Sequence, residues 1–250
     1  MDKGLLTGTS VPAPPPASPP RTAMLAAPLA AAVLTAWALS VWALAGGQDG
    51  YRPALAAMAL AAYAVLVWLI DRHCGPLRPG RANLATLARG AAGLATLGAV
   101  ANPIGWPVVA MLALCLTADG LDGWLARHFA QTSAAGARLD METDAALILS
   151  LSVLVAATPA VGPWVLLSAA LRYGFIIWLW LKPDLNRPLP VSLRRRAVCV
   201  LQSLSLTICL VPGLPARLAA VVAAMGLLVL VASFAIDVAW LIRQARKERT

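Results

Sequence analysis

The sequence predicts an all-α integral membrane protein of about eight spans, and three observations carry that expectation. Of its 250 residues, 60% are apolar and only 12% charged, far outside soluble globular usage. Apolar runs recur along nearly the whole chain after position 22, and each is near the roughly 20 residues needed to cross about 30 Å of hydrocarbon. The runs are interrupted at Gly46-Gly47, Pro103, Pro159 to Pro163 and Pro212-Gly213, residues that end helices for backbone reasons.

Taken in order, residues 1–22 form a Pro/Ala/Ser-rich tail running from Val11 to Pro20 and beyond. It lacks backbone donors and has little to bury, so it is expected to be disordered. It is too long and too Pro-rich for the first part of a signal peptide, so the apolar run after it is expected to remain as a span. Spans are predicted at 24–46, 53–70, 83–101, 104–126, 140–158, 161–181, 197–212 and 216–242. No repeat points to a duplicated transporter.

The formal charge of +9 does not call for nucleic acid. Seventeen of the 20 Lys and Arg fall in the tail, in 71–89, 127–138 and 182–196, and at 243–249, that is, in alternate loops and at both ends. The positive-inside rule accounts for this, and puts both termini and those loops in the cytoplasm. The preference for Arg, with abundant Ala and Leu, points to a GC-rich bacterial genome, hence a bacterial inner membrane. Cys74, Cys115, Cys199 and Cys209 form no C-x-x-C pair and read as small packing residues. His73 and His128 have no second ligand at helical spacing and read as interfacial.

Five of the 11 acidic residues, Asp119, Asp122, Asp140, Glu142 and Asp144, fall within 26 positions. A carboxylate at a helix centre costs about 2.5–3.5 kcal/mol on insertion scales, so a cluster at span ends needs a counter-charge. Asp119 and Asp122 are spaced i, i+3, and Asp140 and Asp144 i, i+4, so each pair shares one helix face. A short loop joins the two helices and makes them antiparallel neighbours whose four carboxylates can converge. Hard oxygen donors in that number suit two Mg²⁺ or Mn²⁺ ions. Glu142 reads instead as a solvated residue pairing with Arg127 and Arg138.

The full string is Asp119-x-x-Asp122-Gly123-x-x-Ala126-Arg127, eight residues, then Gly136-x-x-x-Asp140-x-x-x-Asp144. It resembles the signature of the CDP-alcohol phosphotransferase family at all eight fixed positions. The resemblance covers roughly 79–250 and implies a six-helix catalytic membrane domain there, with residues 23–78 as two additional transmembrane helices and a cytoplasmic loop. It implies a homodimer that transfers a phosphate-linked alcohol from a CDP-linked lipid donor to a small alcohol acceptor and releases CMP. It also implies Asp119, Asp122 and Asp140 as metal ligands, and Asp144 as ligand or general base. Gly123, Ala126 and Arg127, with Gly136, would line the CDP pocket. The family's Asn-x-x-Thr-x-x-Arg element is matched by Asn83, Thr86 and Arg89, although Ala82 stands where the family has Pro.

Arg172 lies in mid-span, where a guanidinium is expected to face a polar cavity. It joins Arg195 and Arg196, from the run Arg194-Arg195-Arg196, as a candidate for binding an acceptor phosphate, because Arg meets phosphate oxygens bidentately. Glycerol 3-phosphate is the acceptor these arginines fit best. Asp237 reads as an interfacial residue. Two other classes remain open at this point. An intramembrane prenyltransferase of the UbiA type would release pyrophosphate, and a transporter or scaffold with a cation site would release no CMP.

Overall fold

The computed structural model describes residues 52–77, 80–99, 104–128, 133–182, 185, 189–190 and 192–247, with the backbone alone at 52–54, 81–82, 119–128 and 180. The expected tail at 1–22 and the expected span at 24–46 lie outside the described residues. What is described is helical, with no strand among it: α1 (Arg52–Cys74), α2 (Arg81–Ala95), α3 (Trp106–His128), α4 (Ala134–Ala156), α5 (Leu167–Leu181), α6 (Leu193–Cys209) and α7 (Ala216–Lys247). A 3-10 turn, Thr96–Ala99, extends α2, and another, Pro163–Leu166, leads into α5. Each of the seven predicted spans from 53 onward has its helix.

α4 is the central element. From Ala145 to Ala156 every residue is buried, because α1, α2, α5 and α6 all pack on it. Its two interior serines are satisfied locally: Ser150 donates to the Ala146 carbonyl at 2.8 Å and Ser152 to that of Ile148 at 2.7 Å. Such back-bonding lets a hydroxyl sit in an apolar interior without a distant partner. Ser133 caps the helix, accepting from the Gly136 N–H at 2.9 Å, as a Ser before a helix start does.

α1 buries one stripe, Leu55, Ala59, Tyr63, Leu66 and Ile70, at the spacing of a single helix face. Met58, Val65 and Trp68 stand exposed on other faces. Gly75, at φ 106°, turns the chain after α1, and the Asp71 carboxylate closes that turn by accepting from the Leu77 N–H at 2.7 Å. At the far end of the molecule α6 and α7 form a hairpin through Gly213, at φ 83°. Gly226 of α7 lies where a methyl group would come within 2.9 Å of the Gln202 carboxamide and 3.0 Å of Ser205.

Two of these helices, at Leu55–Cys74 and Ala216–Lys247, are long and apolar enough to cross a membrane. Shorter apolar stretches occupy Trp106–Ala118 and Pro163–Leu179. Leu218, Val221, Met225, Leu228 and Ile236 of α7 are all exposed, a large apolar surface of the kind that lipid, rather than water, would cover.

α2 and α4 approach closely through glycine. A methyl group on Gly93 would overlap the Leu147 side chain, which would have to move to admit any larger residue there. Gly93→Ala is therefore expected to destabilise the fold by about 1–3 kcal/mol through overpacking. Thermal unfolding in detergent checks this, and adding Leu147→Ala is expected to restore part of the loss.

Candidate active site

The sequence string from 119 to 144 is split across two helices, α3 and α4, and a third, α2, links them. Arg89 projects from α2, its side chain only 2% exposed, and meets Asp140 at 2.9 Å and Asp144 at 3.1 Å. The two carboxylates are about a third exposed, at 35% and 32%. One buried cation thus holds two anions that still face outward. The spacing predicted that Asp140 and Asp144 share a face, and a common partner for both is what that face provides.

Beneath Asp144 lies a narrow cleft enclosing about 20 Å³, room for roughly one water. Arg89 of α2, Leu112, Cys115 and Leu116 of α3, Asp144, Leu147 and Leu151 of α4, and Cys199, Val200 and Ser203 of α6 line it. α3 and α4, expected as packed antiparallel neighbours, therefore face each other across this cleft, and α2 and α6, which pack on both, wall it. The α3 backbone stays helical to His128, so positions 119, 122, 123 and 126 continue the face that begins at Leu112, Cys115 and Leu116. The side chains at 119–128, those of Asp119, Asp122, Gly123, Ala126 and Arg127 among them, lie outside the described residues.

The remaining positions of the string have local reasons. Gly136 sits in the first turn of α4, where a methyl group would come within 2.8 Å of the Asn83 carboxamide oxygen. This close approach ties the start of α2 to the start of α4. Thr86, a turn before Arg89, is buried, and Cys115 donates its thiol to the Arg89 carbonyl at 3.6 Å. Asn83, Thr86 and Arg89 thus occupy the α2 side of the same cluster. All four cysteines described are free thiols, as expected of packing residues.

Three sequence expectations need correction. Glu142 is not a solvated loop residue: it is 4% exposed and lies between Arg138, at 3.0 Å, and Arg172, at 3.3 Å. Burial of a lone carboxylate is costly, and two guanidinium groups offset it. Arg172, expected to face a polar cavity, meets Glu142 instead. Glu142 leaves α4 about 160° around the helix from Asp144, so the structure does not bring Arg172 to the aspartate cluster. Asp237 is also buried, at 7%, rather than interfacial. It accepts from Arg194, which also bonds Ser233, and lies 3.7 Å from Arg195. The second partner of Glu142 was hidden from sequence reasoning because it lies 30 positions away on another helix.

Arg194 and Arg195 are thereby occupied in holding α6 to α7, with Arg195 also bonding the Pro190 carbonyl. Arg196 is exposed. It precedes Cys199, Val200 and Ser203 by three, four and seven residues, and so continues the cleft-lining face of α6.

Charge decides what this arrangement can hold. Counted over their three side chains, Arg89, Asp140 and Asp144 carry one positive and two negative charges. Outward-facing carboxylate oxygens in a net-negative cluster are hard donors that fit a divalent cation. Among the described residues no group of three His, Cys, Asp or Glu side chains gathers to complete a metal site, so further donors would come from outside them.

No curated protein and no solved structure matches this sequence. Residues 80–238, nearly two thirds of the chain, match the CDP-alcohol phosphatidyltransferase family, whose members are membrane transferases that use divalent metal ions. The matched segment contains the whole Arg89 cluster and both helices of the signature, and it excludes α1. The prenyltransferase and transporter readings fall away, and the chain belongs to the CDP-alcohol phosphatidyltransferase family.

Proposed function

We propose that this enzyme transfers a phosphatidyl group from CDP-diacylglycerol to glycerol 3-phosphate, forming phosphatidylglycerol phosphate and CMP. The observation that carries the reading is the outward-facing pair Asp140 and Asp144, held by buried Arg89. Such a pair can hold the divalent ions that a donor with a charged diphosphate requires.

In this reading Asp119, Asp122, Asp140 and Asp144 hold two divalent ions, Mg²⁺ or Mn²⁺, which when bound would neutralise the donor diphosphate and the departing CMP. Gly123, Ala126, Arg127 and Gly136 take the CDP moiety, with Asn83 and Thr86 beside them. Asp144 accepts the proton of the acceptor hydroxyl. The acceptor oxygen bonds to the phosphorus that carries the diacylglycerol, the bond from that phosphorus to the bridging oxygen breaks in line, and CMP leaves with the electron pair. Arg89 aims both carboxylates.

The acceptor phosphate is assigned to Arg196, with Arg195 beside it, since position 196 continues the face of α6 that lines the cleft. Arg172, engaged with Glu142, is assigned to pinning α5 on α4. The wider arrangement proposed is a six-span catalytic domain over 79–250, two further spans within 23–78 and a disordered tail over 1–22. The protein would act as a homodimer in a bacterial inner membrane, with its site and both termini cytoplasmic, as the basic loops support.

Purified protein in lipid or detergent, given CDP-diacylglycerol, Mg²⁺ and glycerol 3-phosphate, is expected to release CMP only when all three are present. Asp144→Asn is expected to lower that rate by about 10²–10⁴-fold, the range for losing a general base. CMP release that Asp144→Asn leaves unchanged would contradict the assignment. A separate prediction concerns the acceptor: Arg196→Ala raises the KM for glycerol 3-phosphate by about tenfold, the size of a lost charge-assisted contact, while the KM for the donor stays put. Initial-rate kinetics at varied acceptor concentration measure it.

A further inference from the structure

Tyr63 belongs to α1, outside the segment that matches the family, yet it sits directly behind the aspartate cluster. It is 5% exposed, and its hydroxyl lies 2.8 Å from the hydroxyl of Thr143, itself fully buried. Thr143 is the neighbour of Asp144 on α4. The same Tyr63 hydroxyl rests against Gly90, where a methyl group would overlap it, and Gly90 is the neighbour of Arg89 on α2. One side chain therefore touches both helices of the ion-pair cluster, one residue away from its cation and one residue away from a carboxylate.

We propose that Tyr63 is a positioning residue for the transfer reaction: through Thr143 and Gly90 it fixes the rotation and spacing of α4 against α2, and so aims Asp140 and Asp144. The argument is geometric. Around α4, Thr143 lies about 60° from Asp140 and about 100° from Asp144, so a bond at Thr143 resists rolling of the helix without entering the site. A roll of about 10° would carry a carboxylate about 1 Å, and misplacement on that scale is enough to slow a reaction severely. A helix ordinarily needs only apolar contact to pack. A buried hydroxyl pair between α1 and α4, at the level of the reacting groups, adds a directional restraint that packing alone does not supply.

The proposal rests on Asp140 and Asp144 being the reacting, metal-binding carboxylates, and the test separates the two ideas. Tyr63→Phe and Thr143→Val keep the shapes and remove one hydroxyl each. Measured on the full chain in detergent, each is expected to lower the kcat of Mg²⁺-dependent CMP release about three- to tenfold, the effect of one neutral hydrogen bond, with the donor KM within about twofold. The double variant is expected to be no worse than the poorer single one, because both remove the same bond. Mn²⁺ binding, followed by electron paramagnetic resonance without turnover, is expected to weaken in both variants. Thermal unfolding of each variant sets the fraction folded against which its rates are scaled.

Unchanged kcat and Mn²⁺ affinity would overturn the proposal. So would losses that vanish after that scaling, or single losses that multiply in the double variant. If the native chain released no CMP from CDP-diacylglycerol, the proposed function would fail while the Mn²⁺ measurement still decided this one: weaker binding in Tyr63→Phe supports it, and unchanged binding overturns it.

Discussion

A guanidinium 2% exposed, set between two carboxylates, is the interaction on which this structure depends. Without Arg89 the carboxylates of Asp140 and Asp144 would repel each other across one turn of α4, and without them Arg89 would lose two of the anions that offset its burial. Each member makes the others tolerable. The arrangement is also asymmetric: the cation is buried and the two carboxylates are about a third exposed.

Packing makes this arrangement possible. Arg89 reaches α4 because α2 lies close against it, with Gly93 under Leu147 and Gly136 under Asn83, while Gly90 under Tyr63 lets α1 lie close to α2. Larger residues at any of the three would displace the side chain they meet, in a bundle where small residues permit close approach. α4 is surrounded by four helices, so its carboxylate face is held by contacts on every other side. Two further ion clusters, Glu142 with Arg138 and Arg172, and Asp237 with Arg194 and Arg195, tie α5 to α4 and α6 to α7 in the same manner. Charge that would be costly in hydrocarbon is used to fix helix positions.

Much of this was legible in the sequence, for identifiable reasons. Helix existence followed from apolar run length and from Pro and Gly breaks, which act locally. The shared face of Asp140 and Asp144 followed from the 3.6-residue period. What failed were statements about partners. Glu142 looked like a solvated acid because its neighbours in sequence are charged, but burial is set by α5, which arrives 30 residues later. Asp237 looked interfacial for the same reason, since Arg194 and Arg195 lie on another helix. Tyr63 carried no signal at all: a lone Tyr in an apolar run is ordinary, and only the juxtaposition with Gly90 and Thr143 marks it. Four of the five signature positions on α3 are legible as a face, continued from the cleft lining, and the sequence pattern is what assigns all five their chemistry.

The measurement that tests the account most directly is CMP release by Arg89→Lys beside the native enzyme, each scaled to its folded fraction. Lys keeps the positive charge but not the planar, fixed guanidinium whose Nη2 meets both carboxylates. If Arg89 is the residue that aims Asp140 and Asp144, the variant stays folded and loses about 10²-fold or more in rate, the loss expected from misplacing a reacting group by about 1 Å. Activity within twofold of native would contradict the central claim, and would mean that the two carboxylates are held by something other than Arg89.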